Sequence, residues 1–165
     1  MTAKSPPKLQ ITFFVSYARS NNQLAGRFVQ SLIEALKPSK TYEYQLWSDE
    51  AILVGEQWQK EIANAIDDCD FGLLLLSQAF LGSQFIGEHE LPHFIGPSAK
   101  PSVPVMLAPI DLERYDLKGL EAEQIFRYKG QRFREARSYS ECNSGGRDEF
   151  VFSLFQEMEK KLGKM

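Results

Sequence analysis

Residues 83–93 read Ser-Gln-Phe-Ile-Gly-Glu-His-Glu-Leu-Pro-His, gathering a hydroxyl (Ser83), an aromatic ring (Phe85), a carboxylate (Glu90) and both histidines of the chain, His89 and His93. His89-Glu90-Leu91-Pro92-His93 is a literal H-E-x-x-H. On an unbroken helix that pattern sets two imidazoles on one face to hold zinc, with the glutamate as base. Pro92 works against it. A proline inside a helix lacks the N–H of its turn and clashes with the carbonyl four residues back, so the segment is helical throughout only if the helix begins close to His89. With no third histidine, a further zinc ligand would have to be a carboxylate.

The competing reading takes Ser83, Phe85 and Glu90 as part of a ligand rim. They follow the apolar run Phe71–Leu76, which has the pattern of a strand buried on both faces of a parallel sheet. Ser16, Tyr17 and Arg19 follow a first such run, Ile11–Val15, and Ser48, Asp49 and Glu50 close a second, Tyr42–Ser48. If these strands are parallel neighbours, the three groups meet at the carboxyl ends of the sheet, where open α/β sheets bind ligands. Helix capping by Ser16, Asp49 and Ser83, with Arg19 as a surface charge, is the plainer alternative for each residue taken alone. No G-x-G-x-x-G and no Walker sequence follows the first strand, so a nucleotide here would be held without a phosphate loop.

The elements that must position these groups alternate. After the first strand, Ser20 and Gln23 have the spacing of a capping box, and Leu24, Phe28, Leu32 and Leu36 form the apolar stripe of a helix that Pro38 ends. Trp58–Asp67 is a second helix leading into the central strand. Val103–Leu107 is a further short strand in which Pro104 cannot donate to a ladder. Gln124–Tyr128 reads as a last weak strand, Arg127–Arg137 as a basic solvated face, and Gly145-Gly146 as a turn before a closing helix, Asp148–Leu162. Alternation of this kind predicts an α/β fold, a flavodoxin-like doubly wound parallel sheet of four to five strands with helices on both faces and right-handed crossovers.

Composition bounds the function. At 165 residues, 43% hydrophobic and 25% charged, the chain has the makeup of one globular domain with its own core, here assigned to residues 10–165 behind a disordered lead-in, residues 1–9. A net charge of -3 gives no electrostatic reason to expect nucleic acid or an anionic membrane. Cys69 and Cys142 are too few for a disulfide framework or a four-thiolate site, and no apolar run approaches the roughly 20 residues of a membrane span. A cytoplasmic protein is the expectation.

At the residues quoted, the sequence resembles a Toll/interleukin receptor (TIR) domain of the bacterial, NAD-cleaving type. The matching blocks are FFVSYAR, LWSDEAILVGEQW, LLLLSQAFLGSQFIGEHEL and VPVMLAPID, and the resemblance covers about residues 10 to 162. The third is the most specific, since family members commonly carry a serine, an aromatic two residues on and a glutamate seven residues on, here Ser83, Phe85 and Glu90. The resemblance implies cleavage of NAD+ at the nicotinamide–ribose bond with Glu90 as the catalytic residue. NAD+ is then a substrate, and neither a cofactor nor a metal is implied. It places Tyr17 and Arg19 toward the phosphates or adenine and Asp49 or Glu50 at the ribose edge. Phe85 or Trp47 would stack, with Ser16 and Ser83 beside them. It also implies self-association through the "BB" loop, Asp49–Gln57, with Ile52-Leu53-Val54 as its apolar contact, and a fused or separate sensor domain in immune, anti-phage signalling. Two departures stand out: Ala18-Arg19 where many active members have two basic residues, and Glu88-His89 beside the glutamate. The family's other class, scaffolds that only oligomerise through the BB loop, usually lacks the glutamate. The catalytic reading sets Glu90 at the mouth of a cleft.

Overall fold

The computed structural model describes residues 7–48, 58–129 and 136–164. Four strands form one parallel sheet in the order β2-β1-β3-β4: β1 (Leu9–Ser16), β2 (Tyr42–Ser48), β3 (Phe71–Leu76) and β4 (Ser102–Met106). Every residue of β3 is buried, as a central strand covered on both faces requires. Side chains alternate between the faces with period two. Phe13, Val15, Phe71, Leu73 and Leu75 join one core with α1 (Asn22–Leu36) and α4 (Ser144–Gly163). Phe14, Leu74 and Leu76 join the other with α2 (Trp58–Asp68), α3 (Gln78–Gly82) and the turns that follow α3.

The doubly wound architecture is therefore as the sequence predicts, with four strands in the sheet. The expected strand Gln124–Tyr128 is reduced to isolated bridges, a parallel one between Phe126 and Val105 at the outer edge of β4 and an antiparallel one between Tyr128 and Arg137. The N–H of Met106 donates to the Phe126 carbonyl at 2.9 Å, and Pro104, two residues earlier, faces the same outward side. A donor missing from an edge strand's outer side leaves no ladder bond unmade.

Two helix starts differ from expectation. Ser20 and Gln23 form no capping box, because a 3-10 turn, Arg19–Asn21, precedes α1 and takes up Ser20. Gly145 and Gly146 lie inside the first turn of α4, where the Asn143 carboxamide caps the helix by accepting the Gly146 N–H at 2.8 Å.

A polar clamp ties α4 to β2. The half-buried Glu159 accepts hydrogen bonds from the hydroxyls of Ser39, at 2.7 Å, and Tyr44, at 2.9 Å. Burial, and then the bond to Glu159 and its negative charge, push the Tyr44 phenol well above its ordinary value of 10.0. The folded value lies above the unfolded one, so this contribution is complete below the unfolded value and is lost as pH climbs through the alkaline range, where the unfolded chain ionises first. Denaturant unfolding followed by circular dichroism should show stability falling above pH 10.0, and Tyr44→Phe should make that fall shallower.

Candidate functional site

In this strand order the connection from β1 leads outward to β2, and the chain then crosses back to β3 on the other side of β1. The crevice between the carboxyl ends of β1 and β3 is thus the topological switch point, the place where such sheets take ligands. Ser16 is the last residue of β1, and the segment after β3 returns Glu90 to it. The Ser16 hydroxyl donates to Glu90 Oε2 at 3.3 Å, and both residues are only 1% exposed.

The local path to Glu90 is unusual. Ser77 follows β3 directly and caps α3 by accepting the Phe80 N–H at 3.0 Å. Ser83 closes α3, and its hydroxyl accepts the Ile86 N–H at 3.2 Å. Ile86–Glu90 then form a π-helical turn, closed by the Leu91 N–H on the Ile86 carbonyl, and Leu91–Phe94 form a 3-10 turn with Pro92 in its first positions. An α-helix running on through Pro92 would drive the ring into the Glu88 carbonyl, and the wider turn is what the chain forms instead. The widening inserts one residue into the turn, so Glu90, Leu91 and Phe94 face inward while His89 and His93 are left half-buried.

The single helical face needed by H-E-x-x-H is therefore not formed. His93 Nδ1 lies 4.0 Å from Asp67 Oδ1 on α2, and His89 Nε2 lies 3.8 Å from Glu88 Oε2 with its ring 5.0 Å from that of Phe85. Among the described residues no group of three or more histidine, cysteine, aspartate or glutamate side chains is placed to hold a metal ion.

The other rim residues divide by face. Ser16 and Phe14 share one face of β1, and Tyr17, in step with Phe13 and Val15, packs half-buried against the opposite core. There it borders a cavity of about 280 Å³ with Val15, Ala25, Val29 and Leu46. Trp47 lies on the Glu90 face of β2, its indole stacked on Phe14 at 5.1 Å. Phe85 is half-buried against the same core, and Arg19 is exposed on the turn Arg19–Asn21. Ser83 serves the backbone as a cap, the plainer of the two roles expected of it. Asp49, Glu50 and the whole loop 49–57 lie outside the described residues. The carboxylate is also not at an open mouth, because the π turn directs it inward onto Ser16.

One pair at the crevice escapes a sequence reading. The Ser77 hydroxyl donates to Asn21 Oδ1 at 2.6 Å, so the turn carrying Arg19 is tied to the base of the segment carrying Glu90. Ser77 is visible in sequence as the polar residue closing a buried strand, but nothing in the sequence marks Asn21 as its acceptor.

A family model described as "TIR domain" matches residues 13–138, a span that holds the whole sheet from Phe13 onward and the Glu90 turn. Comparison with curated proteins and with solved structures returns no match. Ser16→Ala removes a hydroxyl donor from a buried carboxylate and should cost about 1–3 kcal/mol. Urea unfolding should read this as a lower midpoint with an unchanged slope.

Proposed function

The chain belongs to the TIR domain family, and we propose that it cleaves NAD+ at the nicotinamide–ribose bond with Glu90 as the catalytic residue. The observation that carries this reading is a carboxylate held out of water at the switch point between β1 and β3, against Ser16. Burying a carboxylate is expensive even when it is bonded, and a site kept at that cost is a reasonable place for charge-dependent chemistry.

The chemistry needs little else. Nicotinamide leaves a cationic pyridinium as a neutral molecule, so the departing nitrogen takes up the bonding pair and requires no acid. What remains is a ribose with oxocarbenium character. Glu90 accepts hydrogen bonds from the ribose hydroxyls, and these strengthen as positive charge grows on the ring. Water adding at C1′ and releasing its proton gives ADP-ribose. Attack by the adenine of the same molecule gives a cyclic product. Arg19, exposed on its turn, meets the phosphates, and the apolar surface of Phe85 or Trp47 meets the rings.

With Glu90 1% exposed, substrate access entails displacement of the groups that cover it. Self-association through the loop 49–57 is the step that brings this about, so an isolated chain is a weak enzyme and a clustered one a better enzyme. The reading places the protein in the cytoplasm, in immune signalling coupled to a sensor. Among the described residues no helix is long and apolar enough to cross a membrane.

Nicotinamide release from NAD+ by concentrated or clustered protein tests this reading. Glu90→Gln keeps the shape of the side chain but not its charge, and should lower kcat by about 10²-fold or more. EDTA and His93→Ala should leave the rate unchanged, and loss of activity in either would revive a zinc mechanism. No turnover by the unsubstituted protein, even when clustered, would leave an oligomerising scaffold as the function.

A further inference from the structure

Gly72 of β3 has no room for a side chain. A Cβ placed there would overlap Cε1 of Phe94 and lie 2.5 Å from its Cζ. In the parallel register Gly72 stands beside Phe14, which stands beside Trp47. Phe94 supplies from above the ring that β3 lacks, and a row of three aromatic rings crosses the sheet: Trp47 on Phe14 at 5.1 Å, and Phe14 on Phe94 at 6.4 Å. Phe94 is 5% exposed and ends the 3-10 turn that begins just after Glu90. The next residues along the same face of β1 and β3 are Ser16 and Leu74, which are themselves paired in register.

Glu90 is thus held both through its side chain and through its backbone. Its carboxylate meets Ser16, and its backbone is held four residues on by a ring seated on glycine. The seat depends on the π turn. By advancing the inward-facing position from His93 to Phe94, the added residue delivers an aromatic ring to Gly72 and turns Glu90 toward the end of β1.

We propose that Phe94, seated on Gly72, is the positioning residue for the Glu90 carboxylate, so that the fit of this ring on the sheet sets the rate of NAD+ cleavage. The proposal rests on the reading of Glu90 given above and extends it to residues remote from the substrate. Raising the ring shifts the 3-10 turn and withdraws the carboxylate from its line with Ser16. Binding of the nucleotide's phosphates and adenine is left intact.

The test is size exchange at the seat, made in the full chain. Gly72→Ala pushes the ring off the sheet, Phe94→Leu shortens the seated group, and the double substitution pairs a small added methyl with a smaller partner. Each variant is assayed for nicotinamide release while clustered, and its Glu90 carboxyl carbon is followed by 13C NMR across pH, with the resonance assigned from Glu90→Gln. Gly72→Ala is expected to lower kcat at least tenfold with KM changed less than twofold, and to move the Glu90 titration midpoint. The double variant is expected to recover most of both. Wild-type kcat together with an unmoved Glu90 titration in folded Gly72→Ala or Phe94→Leu overturns the proposal, as does equal loss in the single and double variants. Should Gly72→Ala not fold, Phe94→Leu alone carries the test through the same two readouts. Absence of turnover in the unsubstituted protein defeats the NAD+ reading instead. The positioning claim is then decided by the carboxyl titration, which moves with the seat if Phe94 positions Glu90 and stays put if it does not.

Discussion

A carboxylate kept from water must be held by its surroundings, and in this protein much of the architecture on one face of the sheet serves that requirement. Glu90 meets Ser16 at the end of β1. Ser16 has its position because β1 is flanked by β2 on one side and β3 on the other, both in parallel register. The segment that returns Glu90 to Ser16 begins from the Ser77 cap at the end of β3 and is held by Ser83 on the Ile86 N–H. Without the buried pair of strands there would be no switch point at their carboxyl ends, and without the irregular turns the carboxylate would not face Ser16 there.

The irregular turns have a definite cause. A regular helix through Pro92 meets a steric conflict at the Glu88 carbonyl, and the chain widens to a π turn and then tightens to a 3-10 turn. The same change of winding distributes the polar groups of this stretch. The carboxylate goes inside, both histidines stay half-buried, and a phenyl ring lands on the one residue of β3 that can accept it. Glycine in a strand interior weakens the strand, yet at Gly72 it also allows a close approach that no other residue permits.

The strands were legible because their cause is local. A run such as Phe71–Leu76, apolar at every position, has few homes other than the middle of a two-faced sheet, and Tyr42–Ser48 is a strand over the same bounds the sequence indicates. Convergence of Ser16 and Glu90 followed from parallel alternation. The face to which Tyr17 belongs also follows from period-two parity with Val15, a signal available in the sequence. What the sequence did not carry was winding within turns. The start of α4 depends on Asn143 reaching forward to Gly146, which outweighs the turn character of two glycines, and the start of α1 depends on a 3-10 turn that displaces Ser20 from the capping position. The π turn arises from a clash between Pro92 and a carbonyl four residues earlier, a relation that H-E-x-x-H as a string does not contain.

On the function proposed above, the Glu90 carboxylate exchanges its contact with Ser16 for the ribose of NAD+. The most direct test of this exchange is a crystal structure of the clustered protein with a non-cleavable NAD+ analogue. A Glu90 oxygen is expected within hydrogen-bond distance, about 2.6–3.2 Å, of a ribose hydroxyl. An analogue seated elsewhere while Glu90 still faces Ser16, from protein that nevertheless releases nicotinamide from NAD+, would contradict it.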